Sequence, residues 1–345
     1  MKLLALPSFL RRTLILLCLP PALLLSFLYV LISMSLFPFL GIYQKITISK
    51  KSSSRHVRFS LMFTWYLLME LLGVVVAFFL WVVTICGYFL QSRISQRLHA
   101  FVQFVWASSL LFGARLFFNA TIVFPSFAPF RSGPLLIAAQ HSSFFDALIP
   151  TVLLGKGGGN VVPRHVLKND LLLSPSLDLY GNRLPNVFVT RGAKNSGLEV
   201  SGVHSVTTNL GSDGCIIFPE GTFHTPEKFE RAIKKIKAVD PSRAQRVKHL
   251  KHLLPIKPGG VLAMVSAAPK ADLVLIGHHG FKPFGSFKEI MLNIPFKEPI
   301  EIYVKRIPPP TFPKEASTCL KFLDNEWLTI DNWLQSKIEN HDDPS

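Results

Sequence analysis

Between residues 13 and 43 the chain carries no charged side chain, and a run that long and that apolar cannot lie in water as an ordinary surface segment. A helix needs about 20 apolar residues to cross a hydrocarbon core of about 30 Å, so residues 14–40 are long enough to span a bilayer. Pro20, Pro21 and Pro38 predict a kink or an early stop rather than one straight rod. A cleaved leader competes with this reading, because Lys2, Arg11 and Arg12 precede the apolar core. The run is too long for one, and no clear small-residue cleavage site follows. Residues 71–90 form a second charge-free span, which leaves Glu70 at its interfacial edge, away from the bilayer centre. The stretch 97–118 is apolar but interrupted by Gln103 and Arg115, and is expected as an amphipathic helix lying along the interface over 97–121. Residues 1–96 thus form a membrane-anchoring region, and a globular part is expected over 122–345.

The net charge of +16 selects partners: nucleic acid, anionic headgroups or phosphorylated substrates. Basic loops beside hydrophobic spans favour lipid, since each Lys or Arg near an anionic leaflet gains about 1 kcal/mol. No zinc spacing, aromatic RNA-binding signature or basic zipper speaks for nucleic acid. Charge does not fix the topology. The loop between the spans holds Lys45, Lys50, Lys51, Arg55 and Arg58, against three basic residues ahead of the first span and Arg93 and Arg97 after the second. Cys18, Cys86, Cys215 and Cys319 have no paired spacing, so neither a disulfide framework nor a zinc site is expected. His249 and His252 are three apart and His278 and His279 adjacent, but nothing completes a ligand set, and no metal is expected.

In the globular part, short apolar runs at 135–139, 187–190, 215–218, 273–276 and 300–304 read as strands. Helix-compatible patterns at 145–154, 198–210 and 227–239 lie between them, giving an α/β domain. Gly155-Lys156-Gly157-Gly158-Gly159 lacks the spacing of a phosphate loop and is expected as a flexible loop.

Three short elements carry chemistry. Gln140-His141-Ser142-Ser143-Phe144-Phe145-Asp146 follows the first strand of the domain. There a carboxylate can reach back to one imidazole nitrogen and leave the other basic, although taken alone the pair reads by default as an Asp capping the helix or a solvated His. The run 187–190 leads into Arg191 and Gly192, and a guanidinium there suits phosphate as well as it suits solvent. Phe218-Pro219-Glu220-Gly221-Thr222 follows another apolar strand and puts a carboxylate and backbone amides at its carboxyl end, where open α/β sheets bind ligands.

In this order the three elements resemble the glycerolipid acyltransferase family typified by 1-acyl-glycerol-3-phosphate acyltransferases, marked by His-x4-Asp, a strand ending in Arg, and Phe-Pro-Glu-Gly-Thr. The resemblance covers roughly 135–276. It implies a mixed sheet flanked by helices and preceded by hydrophobic membrane helices, and an acyltransferase domain over 122–345. It also implies a catalytic base at His141 oriented by Asp146, with Arg191, Glu220, Gly221 and Thr222 binding a glycerol phosphate. A later block, His252 to Gly260, resembles the family's Pro-rich segment with Lys257 where an Arg is frequent; Lys keeps the charge and loses the bidentate fork. Gln140 stands where the family commonly has Asn. The resemblance further implies an acyl-CoA or acyl carrier protein donor, a lysophospholipid acceptor, most simply 1-acylglycerol-3-phosphate giving phosphatidic acid, no cofactor, and a domain facing the cytoplasm from a bacterial inner membrane or the endoplasmic reticulum. Backbone N–H groups of the His141 turn are the expected oxyanion donors. Rival readings are an acceptor with a larger headgroup, a serine hydrolase using Ser142 or Ser143, and a non-catalytic lipid-binding protein of the same fold.

Overall fold

The computed structural model describes residues 2–47, 51–189, 196–313 and 315–342. Three long helices come first: α1 (Ser8–Thr47), α2 (Lys51–Val83) and α3 (Arg93–Phe118). Strands and short helices follow in the order β1 (Ile122–Val123), β2 (Leu135–Ala139), α4 (Ile149–Gly157), β3 (Pro163–Lys168), α5 (Pro175–Arg183), β4 (Val187–Val189) and α6 (Ser196–Thr207). The chain continues through β5 (Gly214–Ile217), α7 (Pro226–Val239), α8 (Pro241–Val247), α9 (Pro258–Ala267) and β6 (Asp272–His279). It ends with α10 (Phe287–Asn293), β7 (Ile300–Ile307) and α11 (Ala316–Asp342). The chain divides into two compact units. One holds residues 1–122, 167–185 and 286–299, the other 123–166, 186–285 and 300–345. Two segments of the stretch 122–345, carrying α5 and α10, fall in the same unit as the N-terminal helices.

In the helical unit, α1, α2 and α3 are each long and apolar enough to cross a membrane. Helix α1 continues through Pro20 and Pro21, where a kink or an early stop was expected. Each proline forfeits one backbone bond, and in an apolar medium only the helix satisfies the rest. The second apolar helix starts and ends earlier than the charge-free run. Arg55 and Arg58 do not exclude residues 51–58, because they donate to the carbonyls of Ile294 (3.2 Å) and Phe117 (2.9 Å). The helix stops at Val83 because Ile85, Cys86 and Gly87 take left-handed φ of 53°, 49° and 93°. Gln103, which marked α3 as interfacial, is buried within the helical unit, so it does not break the apolar surface. Glu70, expected at the edge of a span, is fully buried and holds the start of α5. It accepts from Ser174 Oγ at 2.9 Å and from the Ser176 N–H at 2.8 Å. Asp178 on α5 takes a bidentate pair from Arg12, 2.9 Å to each oxygen, and a further contact from Arg11 at 3.3 Å.

The second unit is built on a seven-stranded sheet in the order β1-β7-β6-β2-β5-β3-β4. Strands β5 and β6 flank β2 in parallel, and β7 closes on β6 antiparallel, so the sheet is mixed. Every residue of β2 is buried, and its Leu-Leu-Ile-Ala-Ala run is the continuous apolar sequence that a strand covered on both faces requires. Leu136, Cys215 and Leu273 share one core with Met264 of α9 and with Leu323, Trp327 and Ile330 of α11. The glycine-rich stretch after Leu154 is not a flexible loop. Helix α4 runs through Gly157, Gly158 caps it at φ 71°, and Gly157 and Gly159 lie against the backbone of Phe130 and Arg131 with no room for a side chain.

Candidate active site

Because β2, β5 and β6 are parallel, the segments that leave their carboxyl ends emerge on one edge of the sheet, the side where such sheets bind ligands. His141 follows β2, Glu220 follows β5, and His278 is the penultimate residue of β6.

The turn after β2 closes around one carboxylate. Asp146 is 1% exposed; its Oδ1 lies 3.0 Å from His141 Nδ1, and its Oδ2 accepts the N–H groups of Ser142 and of Ser143, the latter at 2.7 Å. The Asp146 N–H donates back to Ser143 Oγ at 3.1 Å. Burial alone would raise this acid's pKa. The contacts with His141 and His278 outweigh it and hold Asp146 well below the usual carboxylate range. An ionised carboxylate can only accept, so the proton of His141 sits on Nδ1 and Nε2 is the basic nitrogen. The rings of Phe218 and Phe223 flank the imidazole with centroids 4.7 and 4.5 Å away.

Glu220 was expected to touch substrate. It is 2% exposed and both its oxygens are committed inward, Oε1 to the N–H of His141 and Oε2 to the N–H of Leu254, each at 2.9 Å. Burial drives its pKa up to about 8, against the pull of these two bonds. Its place is that of a brace between the His141 turn and the segment 251–254, which Asp331 holds from the other side through the N–H groups of Lys251, His252 and Leu253. Of the N–H groups in this turn, those of His141, Ser142 and Ser143 already serve Glu220 and Asp146. Ser143 is ill-placed as a nucleophile, being fully buried with its hydroxyl engaged by the Asp146 N–H.

Gly221 turns the chain at φ 69°, and a Cβ there would strike the Lys257 ammonium. Lys257 is exposed and its N–H donates to the Pro219 carbonyl at 2.9 Å, so the Phe218 to Thr222 motif and Lys257 are brought together. Thr222 Oγ1 accepts from Lys228 Nζ at 3.2 Å. Gly221→Ala is expected to cost about 1 to 2 kcal/mol for the left-handed backbone, read as a lower thermal unfolding midpoint. Arg191 lies outside the described residues. His278, set aside in the sequence as half of an incomplete metal pair, comes within 3.2 Å of Asp146 Oδ2 through its Nε2. Its only signal in the sequence is its place at the end of an apolar strand.

Residues 123–276 match the family model described as Acyltransferase. Among solved structures, the chain is similar to the 1-acyl-sn-glycerophosphate (LPA) acyltransferase PlsC from Thermotoga maritima, at 13% identity and a TM-score of 0.45, over 81% of this chain and 99% of that one.

Proposed function

We propose that this chain is an acyltransferase, a reading supported by the match of residues 123–276, and that it moves a fatty acyl group from the thioester of acyl-CoA or acyl carrier protein to the free hydroxyl of 1-acylglycerol-3-phosphate, giving phosphatidic acid. The observation that carries this reading is the buried, ionised Asp146 on His141 Nδ1, at the carboxyl ends of three parallel strands.

In the proposed reaction His141 Nε2 takes the proton of the acceptor hydroxyl as that oxygen attacks the thioester carbonyl. Asp146 stabilises the imidazolium so formed. The tetrahedral intermediate then collapses, breaking the C–S bond, and the imidazolium returns the proton to the leaving thiolate. No acyl-enzyme forms. General base catalysis of this kind supplies about 10² to 10⁴ in rate, and fixing two bulky substrates in register supplies much of the remainder. Phe218 and Phe223 keep bulk water from the imidazole, which favours transfer over hydrolysis. Lys257, Arg191 and the Lys and Arg side chains between residues 227 and 251 offer cationic partners for the acceptor and donor phosphates, apart from Arg243 and Arg246, which pair with Asp324. The long apolar helices would hold the domain at the surface from which the lysolipid comes, on the cytoplasmic side where the donor is made.

The test is thiol release from palmitoyl-CoA by the purified protein in lipid nanodiscs, with and without lysophosphatidic acid. Thiol release that depends on this acceptor, with phosphatidic acid as product, is the expected result. Fatty acid released without acceptor would make the protein a hydrolase, preference for lysophosphatidylcholine or lysophosphatidylethanolamine would replace the acceptor, and no turnover with any of them would leave a binding protein.

A further inference from the structure

We propose that His278 is a positioning residue for the reaction, completing an array in which one carboxylate is held between two imidazoles. The inference rests on the function proposed above and deepens it. Asp146 has His141 on Oδ1 and His278 on Oδ2, at 3.0 and 3.2 Å, and all three side chains are nearly or wholly withdrawn from solvent. The two histidines come from different strands, so the carboxylate ties the turn after β2 to the end of β6.

The backbone of His278 is itself fixed. Its main-chain N–H donates to Gln140 Oε1 at 2.8 Å, while the Gln140 main-chain N–H donates to the Ile276 carbonyl at 2.9 Å. Phe281 closes on the imidazole edge to face at 4.9 Å. Gln140, next to His141 in sequence, has one methylene more than Asn, and its carbonyl reaches across to β6. The surroundings also choose the tautomer. Neither ring nitrogen of His278 has a partner of hydrogen-bond geometry among the described residues, but Nε2 faces the ionised Asp146 carboxylate at 3.2 Å, and stranding a bare lone pair at Nδ1 is cheaper than stranding an N–H there. The proton therefore belongs on Nε2, facing Asp146. Oδ2 already accepts two backbone N–H groups, so this third donor approaches off the ideal hydrogen-bond line and makes a short polar contact instead. The result is a carboxylate that cannot rotate away from His141 when the imidazolium forms.

His278→Asn and His278→Gln separate this role from simple packing. An Asn amide reaches only as far as the imidazole's Nδ1, whereas a Gln amide reaches the position of Nε2 and restores a donor to Asp146. With both variants purified in nanodiscs and matched to wild type in unfolding midpoint, His278→Asn is expected to lose about 10- to 100-fold in kcat with the KM values of donor and acceptor unchanged. His278→Gln is expected to recover turnover to within about threefold of wild type. Wild-type kcat in a folded His278→Asn protein, or equal losses in both folded variants, overturns the proposal. Should neither variant fold, Gln140→Asn, which withdraws the carbonyl from the His278 N–H, is read in the same way: lowered kcat at constant KM supports it, and unchanged kcat overturns it. Absence of turnover by the wild-type protein with every acceptor is a separate result, which removes the function itself.

Discussion

Replacing His141 by alanine is expected to lower turnover by about 10² to 10⁴-fold, with the protein still inserted and folded. The side chain is held by Asp146 and by the two phenyl rings, but the backbone of the turn is held independently: Glu220 accepts the His141 N–H, and Asp146 accepts the next two. The variant thus loses the base and keeps the scaffold. Asp146→Asn is expected to come close to the same loss by another route. An amide presents one acceptor where the carboxylate uses both oxygens, so either the imidazole or the pair of backbone N–H groups faces a donor, and the ring's basic nitrogen is no longer fixed. The measurement is kcat for thiol release in nanodiscs, set beside the unfolding midpoint. A folded His141→Ala protein with wild-type turnover would sink the mechanism.

The strands that form the site were readable because parallel strands covered on both faces favour continuous apolar runs, and β2, β5 and residues 273–276 of β6 are such runs. Strand β3 was not, because Arg164 and His165 interrupt it. Both are resolved only by tertiary partners: Arg164 pairs with Asp213 at 2.9 Å and with four carbonyls, and His165 is buried beside Thr151 with its pKa lowered to about 4, hence neutral. The same limit explains the domain boundary. Nothing local marks residues 167–185 as belonging with the N-terminal helices, because the tie is the pairing of Asp178 with Arg12, 166 positions away. In the candidate site, the contact of His141 with Asp146 was legible from their spacing within one turn. The contact of His278 with Asp146 and the bonds of Glu220 to the His141 turn were not, because each joins residues 79 or more positions apart.

Glu220→Gln is expected to destabilise the protein by about 1 to 3 kcal/mol, although it preserves shape and matches the charge of a protonated acid. Two N–H groups point at this side chain, from His141 and from Leu254, and both oxygens accept. A glutamine has one acceptor to offer and turns its NH₂ toward the other N–H, so a buried donor faces a donor. Glu220→Ala leaves both N–H groups without partners and is expected to cost roughly twice as much. Turnover should fall in both, since the backbone that carries the His141 imidazole, the proposed base, loses its tether. The pH dependence supplies an independent check. The folded protein holds a proton on Glu220 up to about pH 8, against an ordinary value of 4.5, so between these limits the native state binds more protons than the unfolded chain. Stability from this group is then full below about pH 4.5, declines as pH rises toward 8 by at most about 1.4 kcal/mol per unit, and is level beyond. His165 tilts the curve the other way, because its lowered pKa makes stability fall as pH drops below about 6.5. Asp146 acts only below its ordinary value of 3.8. Subtracting the unfolding curve of Glu220→Gln from that of the wild type cancels these common contributions. The difference is expected to favour the wild type most at pH 5 and to shrink steadily to pH 8; a difference independent of pH would show that Glu220 is already ionised across the range, with its two backbone bonds outweighing burial.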